Sequence, residues 1–412
     1  MGVRIETRRI VRRMLLMWLA TIVGAVASLM GFDKARRIFR GQKAAPLKPT
    51  SWESTVLGDG STATVYTHGG TLFTDMLAAI DGAERRVLLE SYIIKGDTTG
   101  QQFRTALNRA AARGVEVAVI YDGFANLVVK ASFFRFHPHV RVLRFPVLSG
   151  LAFWNPRRLG RDHRKILVVD NEVGFVGGYN IGTLYATQWR DTHLRIEGPA
   201  VWDLDNAFVD FWNQQRTDQP ALTQDHATSW EPQVRAHRNV PRQLMYPIRG
   251  MYLEAIDRAH TSIDITAAYF IPDHDILKGL VLAAQRGVRV RILLPLVSNH
   301  VVTDWLSRGF YGEMLRAGIQ IHRYREHMVH AKTATIDGRW STIGTANIDR
   351  LSLQGNYEIN LEILDADLAA QMHEVFTADL SKADRLDLHE WERRRVISRV
   401  YEWILKPLRP LL

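Results

Sequence analysis

The sequence predicts an α/β protein made of two similar α/β/α halves packed about a pseudo-two-fold axis, preceded by an N-terminal membrane helix. Three observations carry this. Residues 73–122 alternate helical and buried-strand patterns, and residues 250–295 repeat the alternation. The stretch HRKILVVDNEVGFVGGYN, from His163 to Asn180, returns as HAKTATIDGRWSTIGTAN, from His330 to Asn347, each marked position 167 further on. Before both, MLLMWLATIVGAVASLMGF runs nineteen residues, Met14 to Phe32, without a charge.

That apolar run is about 28 Å long as a helix, barely a span. Arg4, Arg8, Arg9, Arg12 and Arg13 precede it. Ala25-Val26-Ala27 is an A-x-A cleavage site, so a signal peptide competes with a retained anchor, which is the preferred reading. Lys34, Arg36, Arg37, Arg40, Lys43 and Lys48 follow, and with basic residues on both sides the orientation stays open.

Residues 1–50 are thus read as basic N-terminus, membrane segment (14–32) and linker. The first half occupies 51–216, a Pro- and Gln-containing linker 217–243, the second half 244–385, and a basic amphipathic C-terminal helix 386–412. In the first half, residues 73–83 and 99–113 read as helices, and VLLESYII (87–94) and VEVAVIYD (115–122) as buried strands. This βαβ alternation predicts a mainly parallel sheet. AIDGAERRVLLESY resembles AIDRAHTSIDITAAY, and ARGVEVAVIYD resembles QRGVRVRILLP, which makes the chain a duplication.

The stretch from Phe124 to Leu159, including FPVLSGLAFWNP, is longer than a tight connection needs. It contains the strand VRVLRF; the remainder is either core or a lipid-facing lip over the site. From Leu388 to Leu408, Val396, Ile397, Val400, Tyr401, Ile404 and Leu408 recur at helical spacing beside Arg393, Arg394, Arg395, Arg399 and Lys406. Such a helix, with Trp391 and Trp403, suits either packing on the body or a membrane interface.

At 412 residues the chain is long enough for a substantial core. A net charge of +10 and a pI near 9.8 favour anionic partners, phospholipid or nucleic acid. With no cysteine there is no disulfide framework and no thiolate metal site.

The repeated motif carries the chemistry. His163 and Lys165 stand two apart, as do His330 and Lys332, so on an extended strand each pair leaves by one face. Asp170 and Asp337, five residues past each lysine, fall on the opposite pleat face and are read as bracing the fold. Asp191 stands twenty-eight residues after His163, and Glu358 twenty-eight after His330. Each carboxylate is therefore expected to hold the far ring nitrogen of its own histidine. Neither half contains a complete site.

These two motifs resemble the HxKxxxxD motif, with its following glycine and asparagine, of the phospholipase D superfamily. The words RDHRKILVVD, GGYNIG, WRDTHLRIEGPAV, GTANIDRLSL and NYEINLE are most similar to the bacterial cardiolipin synthases, over roughly residues 51–385. Gly178 departs from the family pattern, where many relatives have Ser, while Thr345 keeps a hydroxyl. Asn180, Asn347, Thr345 and the Gly178 N–H are candidate phosphate donors.

If the halves meet about their axis, two ammonium groups and two amides surround the histidines and form a pocket for a phosphodiester. Every candidate metal ligand has a lysine two residues away, whose charge opposes a dication, so neither zinc nor any other cofactor is expected. The resemblance implies that His163 attacks phosphorus and His330 protonates the leaving alcohol, then acts as base on the incoming one. It further implies phosphatidyl transfer between two phosphatidylglycerol molecules to give cardiolipin and glycerol at a bacterial cell membrane. Hydrolysis by a phospholipase or nuclease, and a non-catalytic lipid-binding protein, are the alternatives; nucleic acid is the less favoured partner because it requires no membrane segment. The acceptor, the orientation in the membrane and the oligomeric state stay open.

Overall fold

The structure, a computed structural model, describes Met14 and residues 16–33, 46–147, 160–223 and 233–411. The linker 34–45 and most of FPVLSGLAFWNP (148–159) lie outside these described residues. In the first half the strands are β1 (Thr55–Val56), β2 (Thr62–Tyr66), β3 (Arg86–Ser91), β4 (Glu116–Asp122), β5 (Val140–Phe145), β6 (Lys165–Val169), β7 (Val173–Gly177), β8 (Trp189–Arg190) and β9 (His193–Glu197). In the second they are β10 (Val234–Arg238), β11 (Ser262–Ala267), β12 (Arg289–Pro295), β13 (Gln320–Tyr324), β14 (Met328–Val329), β15 (Lys332–Ile336), β16 (Trp340–Gly344), β17 (Ile359–Leu364) and β18 (Ala383–Arg385).

The two large sheets have corresponding orders, β1-β2-β9-β7-β6-β3-β4-β5 and β10-β17-β16-β15-β11-β12-β13-β18. Neither is mainly parallel, which corrects the sequence expectation. β3-β4-β5 and β11-β12-β13 are parallel, while the remaining neighbours in both sheets are antiparallel. The reason lies in the motif, because a parallel connection needs a crossover of roughly a dozen residues. Only Asp170-Asn171-Glu172 join β6 to β7, with Asp170 and Asn171 at φ 54° and 58°. Asp337-Gly338-Arg339 join β15 to β16 in the same way, Asp337 at φ 53°. Each motif is therefore a hairpin.

Both turn aspartates accept three consecutive backbone N–H groups from the start of a neighbouring strand. Asp170 takes those of Glu84, Arg85 and Arg86 at 2.9, 2.8 and 2.7 Å. Asp337 takes those of His260, Thr261 and Ser262 at 2.8, 2.8 and 2.9 Å. These bonds tie each hairpin to the start of its neighbour, β3 or β11, at the end of the sheet away from the histidines.

One continuous apolar core joins the halves. Ile166, Val168, Val176, Leu194, Phe208 and Trp212 from the first pack with Ile343, Tyr357, Leu361, Ile363, Met372 and Val375 from the second. Helices Gly69–Gly82 and Thr98–Ala112 cover the outer face of one sheet, and Pro247–Arg258 and His274–Gln285 that of the other. Because packed cores of this kind are close to crystal density, the halves are held as one rigid frame.

The N-terminal helix Leu16–Asp33 is long and apolar enough to cross a membrane. One stripe of it, Ala25, Val26 and Leu29, packs against Leu306, Leu405, Ile404 and Leu408. The Ser28 hydroxyl also lies 3.1 Å from the Tyr401 hydroxyl. The C-terminal segment is not one helix: Leu388–Glu392 and Val396–Leu405 are separate, and a 3₁₀ turn, Lys406–Leu411, follows. Between the two helices Arg394 folds back onto the Glu402 carboxylate at 2.7 Å and over the Trp391 ring at 4.3 Å. Trp391 is buried against Tyr311 rather than placed at an interface. Val396, Ile397, Val400 and Trp403 remain exposed, Trp403 at 71%.

Candidate active site

His163 and His330 line a single cavity of about 270 Å³ between the halves, together with Asn180, Asn347, Tyr92, Trp189 and Tyr269. Each histidine sits just ahead of a motif strand, and its backbone is held by the other half. The His163 N–H donates to the Tyr357 carbonyl at 3.0 Å, and the His330 N–H to the Arg190 carbonyl at 2.6 Å. Parallel pairing of β8 with β14, and the Asp162–Tyr357 bridge, extend these seams.

The seams decide the carboxylate partners, and they overturn the expected pairing. His163 Nδ1 meets Glu358 Oε2 at 2.9 Å and Oε1 at 3.0 Å; His330 Nδ1 meets Asp191 Oδ2 at 2.6 Å. Each acid serves the histidine of the opposite half. Within one half the pairing would have to cross β7 or β16, a gap of about 10 Å for two strand spacings. Across the axis, by contrast, Glu358 adjoins Tyr357 and Asp191 adjoins Arg190, the residues already bonded to the histidine backbones.

The two lysines are buried, and each donates to the carbonyl of its own histidine, Lys165 at 2.7 Å. Lys332 Nζ also lies 2.9 Å from His330 Nδ1. Asn180 and Asn347 are oriented by backbone: their Oδ1 atoms accept from the N–H of Ile93 (3.2 Å) and Tyr269 (3.4 Å). That leaves each amide NH₂ as the end presented to a ligand.

Thr345 and Gly178 are placed differently from their reading as phosphate donors. The Thr345 hydroxyl donates to Glu358 Oε2 at 2.6 Å, and the Gly178 N–H donates to the Thr192 carbonyl at 3.0 Å. A Cβ at Gly178 would stand 2.1 Å from Asp191 Oδ1, so the glycine makes room for the carboxylate. Thr345 steadies the longer Glu358 through a hydroxyl; the shorter Asp191 instead occupies the space a side chain would fill.

Burial dominates the electrostatics. It drives His163 well below the usual imidazole range, aided by Lys165 and Lys332. Burial and then Lys332 take His330 down to about 3, against Asp191. Burial lowers Lys165 to about 7 and Lys332 to about 8. The two acids diverge. Burial raises Glu358 to about 8, whereas at Asp191 burial is outweighed by Lys332, His330 and the Thr192 N–H, which together hold it below the ordinary carboxylate range. His330 therefore has an ionised partner, and His163 has one that takes up a proton near neutrality.

Sequence reasoning missed the aromatic walls. The Tyr92 ring stands edge-on to His163 at 4.8 Å, and Trp189 lies 4.9 Å from His330. Asp349, Asn299, His300 and Thr303 also line the cavity. Asp349 was visible in the word GTANID, two residues past Asn347. Tyr92 and Tyr269 close the two repeated words AIDGAERRVLLESY and AIDRAHTSIDITAAY, whereas no repeat flags Trp189, Asn299, His300 or Thr303.

Comparison with known proteins agrees with this architecture. The family described as "Cardiolipin synthase, PLD-like domain" matches residues 76–212 and 252–380. A cardiolipin synthase of Clostridium perfringens is 32% identical over 363 residues, covering 84% of this chain and 76% of the relative. The major cardiolipin synthase of Bacillus subtilis is 32% identical over 373 residues, covering 87% and 77%. In fold, the crystal structure of phosphatidylserine synthase from Haemophilus influenzae superposes with a TM-score of 0.66 at 14% identity, covering 92% of this chain and 98% of that one. With both halves matched and relatives above 30% identity along most of its length, the chain belongs to the cardiolipin synthase family of phospholipase D-like proteins.

Proposed function

We propose that this protein is a phosphatidyltransferase that makes cardiolipin from two phosphatidylglycerol molecules, releasing glycerol, through a phosphohistidine on His163. The observation that carries the reading is the pair of histidines on one cavity, each with Nδ1 engaged by a carboxylate of the opposite half. Nδ1 engagement leaves Nε2 as the reacting nitrogen on both rings.

In the first step His163 Nε2 attacks phosphorus, the bond to the glycerol oxygen breaks, and His330 gives that oxygen a proton. In the second, the hydroxyl of another phosphatidylglycerol loses its proton to His330 and displaces His163. Lys165, Lys332, Asn180 and Asn347 stabilise charge on the non-bridging oxygens. Burial and Lys332 keep His330 neutral in the empty site; a bound phosphodiester anion offsets the lysine charges and favours its protonation. Asp191, which stays ionised, stabilises the resulting imidazolium.

The test is to incubate purified protein with phosphatidylglycerol vesicles and resolve cardiolipin from phosphatidic acid. Cardiolipin with equimolar glycerol is expected; phosphatidic acid alone would make the protein a hydrolase. Turnover should survive EDTA, since a buried lysine two residues from each histidine carries a charge that opposes a dication, and a strict, restorable zinc requirement would overturn that. Because Glu358 (about 8) must be ionised while Lys165 (about 7) and Lys332 (about 8) stay protonated, kcat/KM should be bell-shaped, rising with pH below about 7 and falling above about 8.

The protein works at a cell membrane, held by the Leu16–Asp33 helix with the exposed face of Val396–Leu405 in the lipid interface. The apolar cluster joining these helices includes Ile271, which also lines the cavity, so the site opens beside the lipid. With no native cysteine, Trp403→Cys gives a single labelling site. A nitroxide there in reconstituted protein should collide more with lipid-soluble oxygen than with an aqueous nickel chelate. The reverse order would place this face in water.

A further inference from the structure

The catalytic residues obey the two-fold relation; the cavity wall does not. The segments that follow β4 and β12 correspond in the two sheets but differ in character. After β4 the first half exposes Phe124, Leu127 and Val128. After β12 the second half lines the cavity with Asn299, His300 and Thr303. Asp349 breaks the repeat as well, because the residue 167 positions earlier is Gly182. The Asp349 carboxylate is buried at the cavity wall, with Oδ1 accepting from the Ser352 N–H at 2.7 Å. Asn299 Oδ1 is held by the Tyr269 hydroxyl at 2.6 Å, and the Tyr269 ring lies 6.2 Å from that of His330. Polar groups are thus gathered on the wall belonging to the histidine that handles the alcohol proton.

We propose that Asn299, His300, Thr303 and Asp349 form an alcohol subsite that binds the free hydroxyls of a polyol, the leaving glycerol in the first step and the glycerol head of the acceptor lipid in the second. This rests on the phosphatidyl-transfer reading above. As the phosphorus–His163 bond forms, the phosphorus–oxygen bond to glycerol breaks and that oxygen takes the His330 proton. The reverse sequence operates on the incoming hydroxyl, whose proton returns to His330. In each step the remaining hydroxyls of the polyol rest on the polar wall and keep the reacting oxygen next to His330; the first glycerol departs before the acceptor's head group takes its place. Burial raises Asp349 to about 7, so near neutrality its carboxyl can accept from or donate to a hydroxyl. A site built to hydrogen-bond hydroxyls discriminates strongly against an analogue lacking them, because its buried polar groups are then left unpaired. Water, with a single oxygen, cannot bridge such a wall.

The experiment supplies phosphatidylglycerol vesicles with equimolar labelled glycerol and 1-propanol, which share three carbons and differ in two hydroxyls. The readout is the ratio of labelled phosphatidylglycerol to phosphatidylpropanol. For the unaltered protein this ratio should exceed about 100, since each unmade buried hydrogen bond costs roughly tenfold or more. Thr303→Val, nearly isosteric, and Asp349→Asn, which retains an acceptor for the Ser352 N–H, should each lower it about tenfold or more. Because the ratio compares two acceptors for one intermediate, it is independent of how much protein folds. An unaltered ratio in both variants, or a ratio near unity in the unaltered protein that still makes cardiolipin, would remove the subsite and leave the transferase standing. Transfer to water alone, with no cardiolipin, would overturn the transferase reading and the subsite with it.

Discussion

Replacing His163 by alanine is expected to abolish phosphatidyl transfer, with a loss of about 10⁴-fold or more, because on the proposed mechanism it removes the atom that bonds to phosphorus. No acid-labile label should be retained from phosphorus-labelled phosphatidylglycerol. His330→Ala should behave differently. Losing a general acid costs about 10²- to 10⁴-fold, and the loss falls on both departure of the first alcohol and activation of the second. A substrate with a good leaving group, such as a nitrophenyl phosphodiester, needs no protonation to depart. In His330→Ala it should load His163 and then stall, so that phosphoenzyme accumulates under alkaline quench. If label persists in His163→Ala and vanishes in His330→Ala, the division of labour is reversed.

The second large effect follows from the crossed carboxylates. Asp191→Asn should act on His330, 139 positions away, and Glu358→Gln on His163, 195 positions away. Asp191 is held ionised in the native protein, so its amide removes a full negative charge from beside the imidazolium. The sign follows directly: without that charge His330 takes up a proton only at lower pH, and the optimum of the first chemical step moves to the acid side. A slowing of about 10²- to 10⁴-fold near neutral pH is expected, the range seen when a buried acid orienting a catalytic histidine loses its charge.

Glu358, raised to about 8, is partly protonated already, so its amide resembles a form the native protein visits. Glu358→Gln should slow phosphoenzyme formation less at pH 7 and remove the rise in kcat/KM that accompanies Glu358 ionisation. It should not move the His330-dependent optimum. Single-turnover pH profiles of the two variants, with folding verified, separate the assignments. An acid shift confined to Glu358→Gln would restore the pairing of each acid with the histidine of its own half.

Much of this protein is determined by the sequence alone. The 167-residue repeat of His, Lys, Asp, Gly and Asn defines two motifs, and the matched 28-residue spacing identifies Asp191 and Glu358. The apolar alternation places the motifs on strands, and the turn residues Asp170-Asn171 and Asp337-Gly338 are chemically suited to the positive φ their hairpins require. These are local properties, set by side-chain period and backbone sterics.

Which half each acid serves is a different kind of fact. In an exact duplication, exchanging Asp191 and Glu358 between the histidines leaves every spacing unchanged, so the repeat cannot distinguish pairing within a half from pairing across the axis. Only the docking of the two sheets decides it, because the packed core fixes the seams at Tyr357 and Arg190 and so places each carboxylate beside the foreign ring. The same holds for Gly178, whose missing side chain is space for Asp191, and for the polar wall around Asp349, which no repeat marks. The C-terminal helix was likewise readable as amphipathic, yet burial of Trp391 and the return of Arg394 onto Glu402 decided which of its apolar residues remain free to meet a membrane. Period and propensity act along the chain, whereas partners 139 and 195 residues apart are chosen by packing, which is a property of the folded whole.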